Sequence, residues 1–114
     1  MLKAIIIDDE QRGINALKIL IDKFVPDVKV VADSTDANQG IELIENYAPD
    51  IVFLDINMPE MNGFELLGKL KWNNFNLVFT TAHQEFALKA IKNNAIDYLL
   101  KPYSQDRFSK AVQK

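Results

Sequence analysis

Short apolar segments recur along the chain and are separated by polar and turn-forming residues. Within them apolar and polar positions alternate little, which is typical of strands buried on both faces, as in a parallel sheet. The pattern therefore predicts five buried strands. Their segments are residues 4–7, 28–32, 51–54, 77–79 and 96–100.

Between these segments, apolar residues recur at intervals of three and four, which is the spacing of one face of an α-helix. Asp36 and Ser104 are suited to cap two helix N-termini, and Pro26 and Pro49 follow two of the apolar stripes, where a helix should end. Strands that alternate with helices predict an α/β fold of (βα)₅ type, with helices on both faces of a parallel sheet. The stripes are Ile14, Leu17, Ile21 and Phe24; Ala37, Ile41, Ile44 and Ala48; Phe64, Leu67 and Leu70; Phe86, Ala87, Ala90 and Ile91; and Phe108, Ala111 and Val112.

Composition narrows the class of protein. The chain has 114 residues, of which 48% are hydrophobic, and this fits one globular domain over residues 1–114. The absence of cysteine excludes disulfides, thiol catalysis and cysteine-ligated zinc, and it is compatible with a cytoplasmic location. The net charge of −3 disfavours direct binding to nucleic acid, which needs a basic face. The apolar runs are too short to cross a membrane.

Polar residues stand at the ends of four of the predicted strands. In open parallel sheets, ligands bind outside the carboxyl ends of the strands, where the strand order reverses. If the first and third strands are neighbours, three carboxylates meet in one pocket. The residues at these ends are Asp8 and Asp9, Asp55, Thr80 and Thr81, and Lys101.

Three clustered carboxylates are unfavourable unless a positive charge sits among them. Mg²⁺ supplies such a charge, takes oxygen ligands and often completes its coordination with a phosphate. A free Asp carboxylate in such a site can attack phosphorus and form an aspartyl phosphate. Lys101 would offset the charge of the transferred group, and the Thr81 hydroxyl could bond one of its oxygens.

Each of these residues also has a purely structural explanation. Asp8 and Asp9 could cap the first helix, a role that Asp often takes. Asp55 could be an ordinary loop residue, Thr81 a helix cap and Lys101 part of a turn. Their joint placement at one edge of the sheet is what favours a functional site.

Four segments resemble the receiver domains of two-component response regulators, and the resemblance extends over the whole chain. It implies a five-stranded flavodoxin-like fold with strand order 2-1-3-4-5. Because the last predicted helix ends almost at residue 114, we expect no output domain within this chain. The segments are IIIDDE at 5–10, IVFLDINMPEMNGFE at 51–65, VFTTA at 78–82 and DYLLKPY at 97–103.

By position, the resemblance implies that Asp55 is the phosphoacceptor. It implies a Mg²⁺ site formed by Asp8, Asp9, Asp55 and the backbone carbonyl of Asn57.

The resemblance also implies a switch. Thr81 would be the switch hydroxyl and Tyr98 the switch aromatic, which rotates inward when Thr81 moves. Lys101 would bond the phosphoryl group, and the Lys101–Pro102 peptide would be cis.

The function implied is a signalling switch rather than an enzyme, although the domain would assist its own phosphorylation and dephosphorylation. A sensor histidine kinase would donate the phosphoryl group. The helix 4–strand 5–helix 5 face, residues 84–113, would then change and form a homodimer. Residues 79–102 look most like the LytTR (LytR/AlgR) subgroup, whose separate output domain binds DNA and controls transcription.

Two other functions remain open at this point. One is an aspartate-dependent phosphohydrolase, a class whose motif is Asp-x-Asp with the second Asp as general acid. In this chain the corresponding residues are Asp55, Ile56 and Asn57, and Asn57 cannot act as that acid. A stand-alone or unphosphorylated receiver-like interaction module is the second alternative, although such modules usually lack one of the site residues.

The loop after Asp55 has its own expected geometry. Pro59 fixes its course, and Gly63 is expected to adopt a backbone conformation closed to other residues. Together they would hold the carbonyl of Asn57 in place.

Overall fold

The computed structural model of the chain describes residues 1–71, 74–82 and 97–101. The predicted fourth and fifth helices and the cap residue Ser104 lie outside these residues. None of the helices in the described ranges has the length and apolar character needed to traverse a bilayer. The elements are β1 Leu2–Ile7, α1 Gln11–Phe24, β2 Val28–Ser34, α2 Ala37–Tyr47, β3 Ile51–Asp55, α3 Gly63–Lys69, β4 Asn76–Thr81 and β5 Asp97–Leu100.

The strands form one parallel sheet, as the sequence predicted. The order β2-β1-β3-β4 confirms the predicted order for these four strands, and the backbone of β5 pairs in parallel with β4 beyond them. The chain therefore folds as a flavodoxin-like α/β domain. The strand order reverses between β1 and β3, since the chain proceeds from β1 to β2 on one side and to β3 on the other.

The two central strands are buried on both faces, as their continuous apolar runs predicted. Every residue of β3 is buried, and so is β1 from Ala4 to Ile7. Alternate side chains enter two separate cores: Ile5 packs with α2 and α3 on one face, and Ile6 packs with α1 on the other. Each fully buried side chain of this size contributes roughly 1.5–3 kcal/mol.

Strand β2 departs from the prediction because it lies at the outer edge of the sheet. Its residues Val30–Asp33 are only half-buried. Its register against β1 shifts between Ala4 and Ile5, and Asp33 forms an ion pair with Lys18 of α1.

The first two helices follow the sequence pattern. Ile14, Leu17 and Ile21 of α1 are buried, and α1 ends before Pro26. Helix α2 ends before Pro49. Asp36 accepts a hydrogen bond from the backbone N–H of Asn38 at 3.0 Å, which confirms it as the N-cap of α2.

Helix α3 differs in the residue that carries its packing. Leu66 is fully buried, whereas Phe64 and Leu67 of the predicted stripe are half-buried against the same core. Its N-terminus forms a capping box. The side chain of Asn62 accepts a hydrogen bond from the backbone N–H of Glu65, and the side chain of Glu65 accepts one from the backbone N–H of Asn62.

The expected special conformation of Gly63 was wrong. None of the glycines in the described ranges has a positive φ, and Gly63 is the first residue of α3. A glycine is needed there because of close approach: a Cβ atom would lie 2.8 Å from the backbone oxygen of Asp55. The Gly63 N–H also donates to the carbonyl of Ile56 at 2.9 Å. The start of α3 is therefore pressed against the end of β3.

Replacing the two glycines of α3 should have opposite effects on stability. Gly63→Ala should lower the free energy of unfolding by about 1–3 kcal/mol, because the added methyl group would push against fixed backbone. Gly68 has no neighbouring atom within 4 Å of the corresponding position, so Gly68→Ala should raise stability by roughly 0.5–1 kcal/mol through helix propensity. Urea denaturation of both variants measures the difference. Equal shifts of the same sign would contradict the close-approach explanation.

Candidate functional site

The carboxyl ends of four strands meet at one edge of the sheet, as the sequence predicted. Ile7 pairs with Leu54 across β1 and β3, which places the residues that follow them side by side. As a result, Asp8, Asp9 and Asp55 each offer an oxygen, and these oxygens lie within 4.8 Å of one another. Asp8 and Asp55 are almost fully buried, and Asp9 is half-buried.

Lys101 supplies positive charge to this cluster from the end of β5. Its ammonium nitrogen lies 2.9 Å from Oδ2 of Asp8 and 3.5 Å from Oδ2 of Asp55. Its backbone N–H donates to the carbonyl of Thr81 at 2.8 Å. The lysine therefore bridges two carboxylates that belong to different strands and would otherwise repel each other.

Local turns orient the carboxylates. Oδ1 of Asp8 accepts a hydrogen bond from the N–H of Glu10 at 2.9 Å, just before α1. Oδ1 of Asp55 accepts one from the N–H of Asn57 at 3.2 Å. Each carboxylate thus keeps one oxygen on its own loop and turns the other toward Lys101. The capping explanation of Asp8 and Asp9 was wrong, because Glu10 is the N-cap residue of α1. Asp8 instead supports the turn that precedes this helix.

The cluster makes Asp55 a weak acid. The pKa of Asp55 is raised from 3.8 to about 7, mainly by burial and next by the neighbouring Asp8 carboxylate. Lys101 acts in the opposite direction, Asp9 again raises the pKa, and the hydrogen bond from Asn57 lowers it. Without an additional cation, the site therefore resists carrying all of its negative charge.

The remaining predicted residues divide into two groups. Thr81 is fully buried at the end of β4, beside the backbone of Lys101. The backbone of Tyr98 lies in β5, but its side chain falls outside the part of the chain that is described, as does Pro102 and with it the predicted cis peptide. The structure therefore brings together Asp8, Asp9, Asp55 and Lys101, with Thr81 next to them.

Sequence reasoning missed the support behind the site. The capping box of Asn62 and Glu65 fixes the start of α3, which packs against the backbone of Asp55. The signal was present in the sequence as Asn followed three residues later by Glu.

Comparison with known proteins identifies the class of domain. The protein-family model for the response regulator receiver domain matches residues 4–113. The chain belongs to this family. The receiver domain is 44% identical, over its full length, to an uncharacterised response regulatory protein of Vibrio parahaemolyticus, covering 47% of that relative. It is 36% identical to the transcriptional regulatory protein BtsR of Escherichia coli K12, covering 48% of it.

Solved structures agree with this assignment. The response regulatory domain of mrkE from Klebsiella pneumoniae superposes with a TM-score of 0.86 at 31% identity, covering 98% of this chain and 93% of that one. The receiver (REC) domain of AraT from Geobacillus stearothermophilus gives 0.84 at 32% identity, with 98% and 90% covered. The receiver domain spans about half the length of the curated relatives it matches.

Receiver domains are signalling modules of two-component systems that interact with histidine kinases and generally bind Mg²⁺ at an acidic pocket. The residues of this receiver domain fit such an ion. Among the described residues, Oδ1 of Asp9 is buried without a hydrogen-bond partner, and Oδ2 of Asp8 contacts Lys101 alone. Oxygen atoms in this state are the ligands that a hard divalent cation prefers.

Proposed function

We propose that this receiver domain accepts a phosphoryl group on Asp55 from a sensor histidine kinase. The observation that supports this most strongly is the convergence of three carboxylates with one lysine that contacts two of them. A purely structural ion pair does not need a third carboxylate at the same point.

In the proposed mechanism, Asp8, Asp9, Asp55 and the backbone carbonyl of Asn57 would hold Mg²⁺. The bound ion would offset negative charge on the transferring phosphoryl group.

The side chains then perform the transfer. An oxygen of Asp55 attacks phosphorus, and the bond from phosphorus to the donor's nitrogen or oxygen breaks. The ammonium group of Lys101 leaves Asp55, contacts a phosphoryl oxygen and neutralises part of the charge of the phosphoryl group. The hydroxyl of Thr81 donates a hydrogen bond to another phosphoryl oxygen and thereby carries the change to β4.

Labelling with a small phosphodonor tests this function directly. Incubation with acetyl phosphate and Mg²⁺ should raise the intact mass by one phosphoryl group, and EDTA should prevent the gain. A known receiver treated in parallel serves as the positive control. If the control gains mass and this chain does not, the domain is an unphosphorylated interaction module instead.

The output of the switch is a second part of the proposal. We infer a LytTR-type DNA-binding domain that acts with this one to control transcription in the cytoplasm. Two features support it: the LytTR-like sequence of residues 79–102, and the coverage of only about half of relatives named as transcriptional regulators. The receiver itself would span residues 1–114 and complete a (βα)₅ fold.

The switch would act through dimerisation. We propose that Thr81 and Tyr98 couple phosphorylation to a homodimer formed by residues 84–113, a region largely outside the described residues. Its sequence carries both positive and negative charges, which suits a symmetric contact that occurs twice.

Light scattering of the chain with Mg²⁺ and beryllofluoride should show about twice the monomer mass, as a two-fold contact requires. The same protein with Mg²⁺ alone is the control. A monomer in both samples at high concentration would rule out this dimer without affecting the phosphorylation proposal.

A further inference from the structure

The N-terminus of α3 contains an Asn-Gly pair, Asn62 and Gly63. In this dipeptide the side-chain amide is open to attack by the next backbone nitrogen, because glycine has no side chain to hinder the approach. We propose that Asn62 is a latent deamidation site that the folded start of α3 holds closed.

The reaction needs only water. The backbone nitrogen of Gly63 attacks Cγ of Asn62 and forms a new C–N bond. The Cγ–Nδ2 bond breaks, and ammonia leaves with the proton that Gly63 nitrogen gives up. Water then opens the resulting succinimide ring at one of its two carbonyls. One opening gives aspartate, and the other gives isoaspartate, in which the main chain runs through the side-chain carbon.

Three hydrogen bonds oppose the first step in the folded protein. The Gly63 N–H donates to the carbonyl of Ile56 at 2.9 Å, which holds the proton that this nitrogen must lose to attack. Oδ1 of Asn62 accepts from the N–H of Glu65 at 2.8 Å, which fixes the side-chain amide. Oε1 of Glu65 accepts from the N–H of Asn62 at 3.1 Å and completes the capping box. Attack therefore requires the first turn of α3 to open.

The two products should have different effects on the domain. Aspartate keeps a side-chain oxygen at the cap, and Asp caps helices as well as Asn does. Isoaspartate adds one atom to the main chain between positions 62 and 63. Gly63 cannot move freely to accommodate this atom, since even a Cβ at this position would lie 2.8 Å from the backbone oxygen of Asp55. Isoaspartate should therefore displace the start of α3 and disturb the end of β3.

The experiment follows isoaspartate at position 62 by peptide mapping after incubation at mildly alkaline pH. The folded wild-type chain should form it at least ~10-fold more slowly than the same chain in urea, because opening of the first turn limits the reaction. Glu65→Ala removes half of the capping box and should accelerate the folded-state reaction roughly fivefold, in line with the loss of one helix cap. Glu65→Gln preserves the capping geometry and should stay close to wild type.

Glu60→Ala is the matched control, since Glu60 is an exposed glutamate two residues before Asn62. The proposal is overturned if folded and urea-treated wild type react at the same rate, a comparison that needs no variant. It is also overturned if Glu65→Ala reacts no faster than Glu60→Ala while both remain folded by circular dichroism. Thermal melting of the separated isoaspartate form should show a lower midpoint than the unmodified chain, and an unchanged midpoint would contradict the inferred disturbance of α3.

Discussion

Asp55→Asn should lose acetyl phosphate labelling down to background, because the amide cannot act as a nucleophile toward phosphorus. The side chain keeps its size, so the fold should remain intact. Intact-mass analysis of wild type and variant under the same conditions measures the effect. Among the described residues, Asp55 is the carboxylate that both contacts Lys101 and lies at the end of the central strand β3.

Asp36→Asn is the matched control for this substitution. It makes the same chemical change at an exposed N-cap position, where Asn serves as well as Asp. This variant should label as wild type does. A full phosphoryl gain in Asp55→Asn, or its loss in Asp36→Asn, would contradict Asp55 as the phosphoacceptor.

The second large effect concerns stability in the absence of divalent metal. The folded-state pKa of Asp55 is about 7, above its unfolded value of 3.8. Between these values the folded chain holds a proton that the unfolded chain has lost. The contribution of Asp55 to stability therefore falls as pH rises through this window, and the full loss is present above about pH 7.

Asp55→Asn removes this loss. Each pKa unit corresponds to about 1.4 kcal/mol, and the partly exposed Lys101 screens part of the Asp55 charge, so we expect ~2 kcal/mol. In EDTA, the free energy of unfolding of the variant should equal that of wild type near about pH 4. It should be larger by that amount near about pH 8, because these two pH values bracket the titration of Asp55. A difference of this size raises the melting temperature by roughly 8 °C. Thermal melts of both proteins across the pH range provide the measurement.

At high pH, Mg²⁺ should make wild type more stable than Asp55→Asn. A ligand that binds only the folded state stabilises it by mass action, so Mg²⁺ should raise the melting temperature of wild type. The increase should be much smaller in Asp55→Asn, which lacks one proposed ligand. If Mg²⁺ shifts the melting temperature of both proteins equally, the acidic cluster does not bind the ion as proposed. If the stability difference in EDTA does not grow with pH, the pKa of Asp55 is not raised in the folded chain.

The position of the candidate site was predictable because parallel strands bring their carboxyl ends to one edge. The residues that follow β1 and β3 were therefore expected to meet, and Asp8, Asp9 and Asp55 do meet. The separate environments of these carboxylates were not predictable. Asp8 is fully buried and bound to Lys101, while Asp9 is half-buried, and this difference depends on how α1 and β5 pack around them.

The packing of the short helix α3 was less predictable. Its seven residues allow only two turns, so the apolar stripe of Phe64 and Leu67 did not reveal that Leu66 carries the burial. Gly63 was correctly singled out, but for the wrong reason. Proximity to the backbone of Asp55 is a tertiary property, whereas a turn conformation is a local one, and sequence reasoning has access only to the local one.

The partial exposure of β2 follows from its edge position, which the strand order implied by the family resemblance contained but the apolar run alone did not reveal. Its apolar run resembles that of β1, so the sequence predicted burial on both faces. The order of strands in the sheet left its residues 30–33 half-exposed.

This outer strand affects how the domain behaves in crowded solution. A free strand edge can recruit another chain through its unpaired amide and carbonyl groups and seed aggregates. In β2, the register shift opposite Ala4 and Ile5, the exposed Lys29 and the Lys18–Asp33 ion pair interrupt the flat apolar row that such recruitment needs. These three features should therefore disfavour intermolecular sheet growth along the β2 edge.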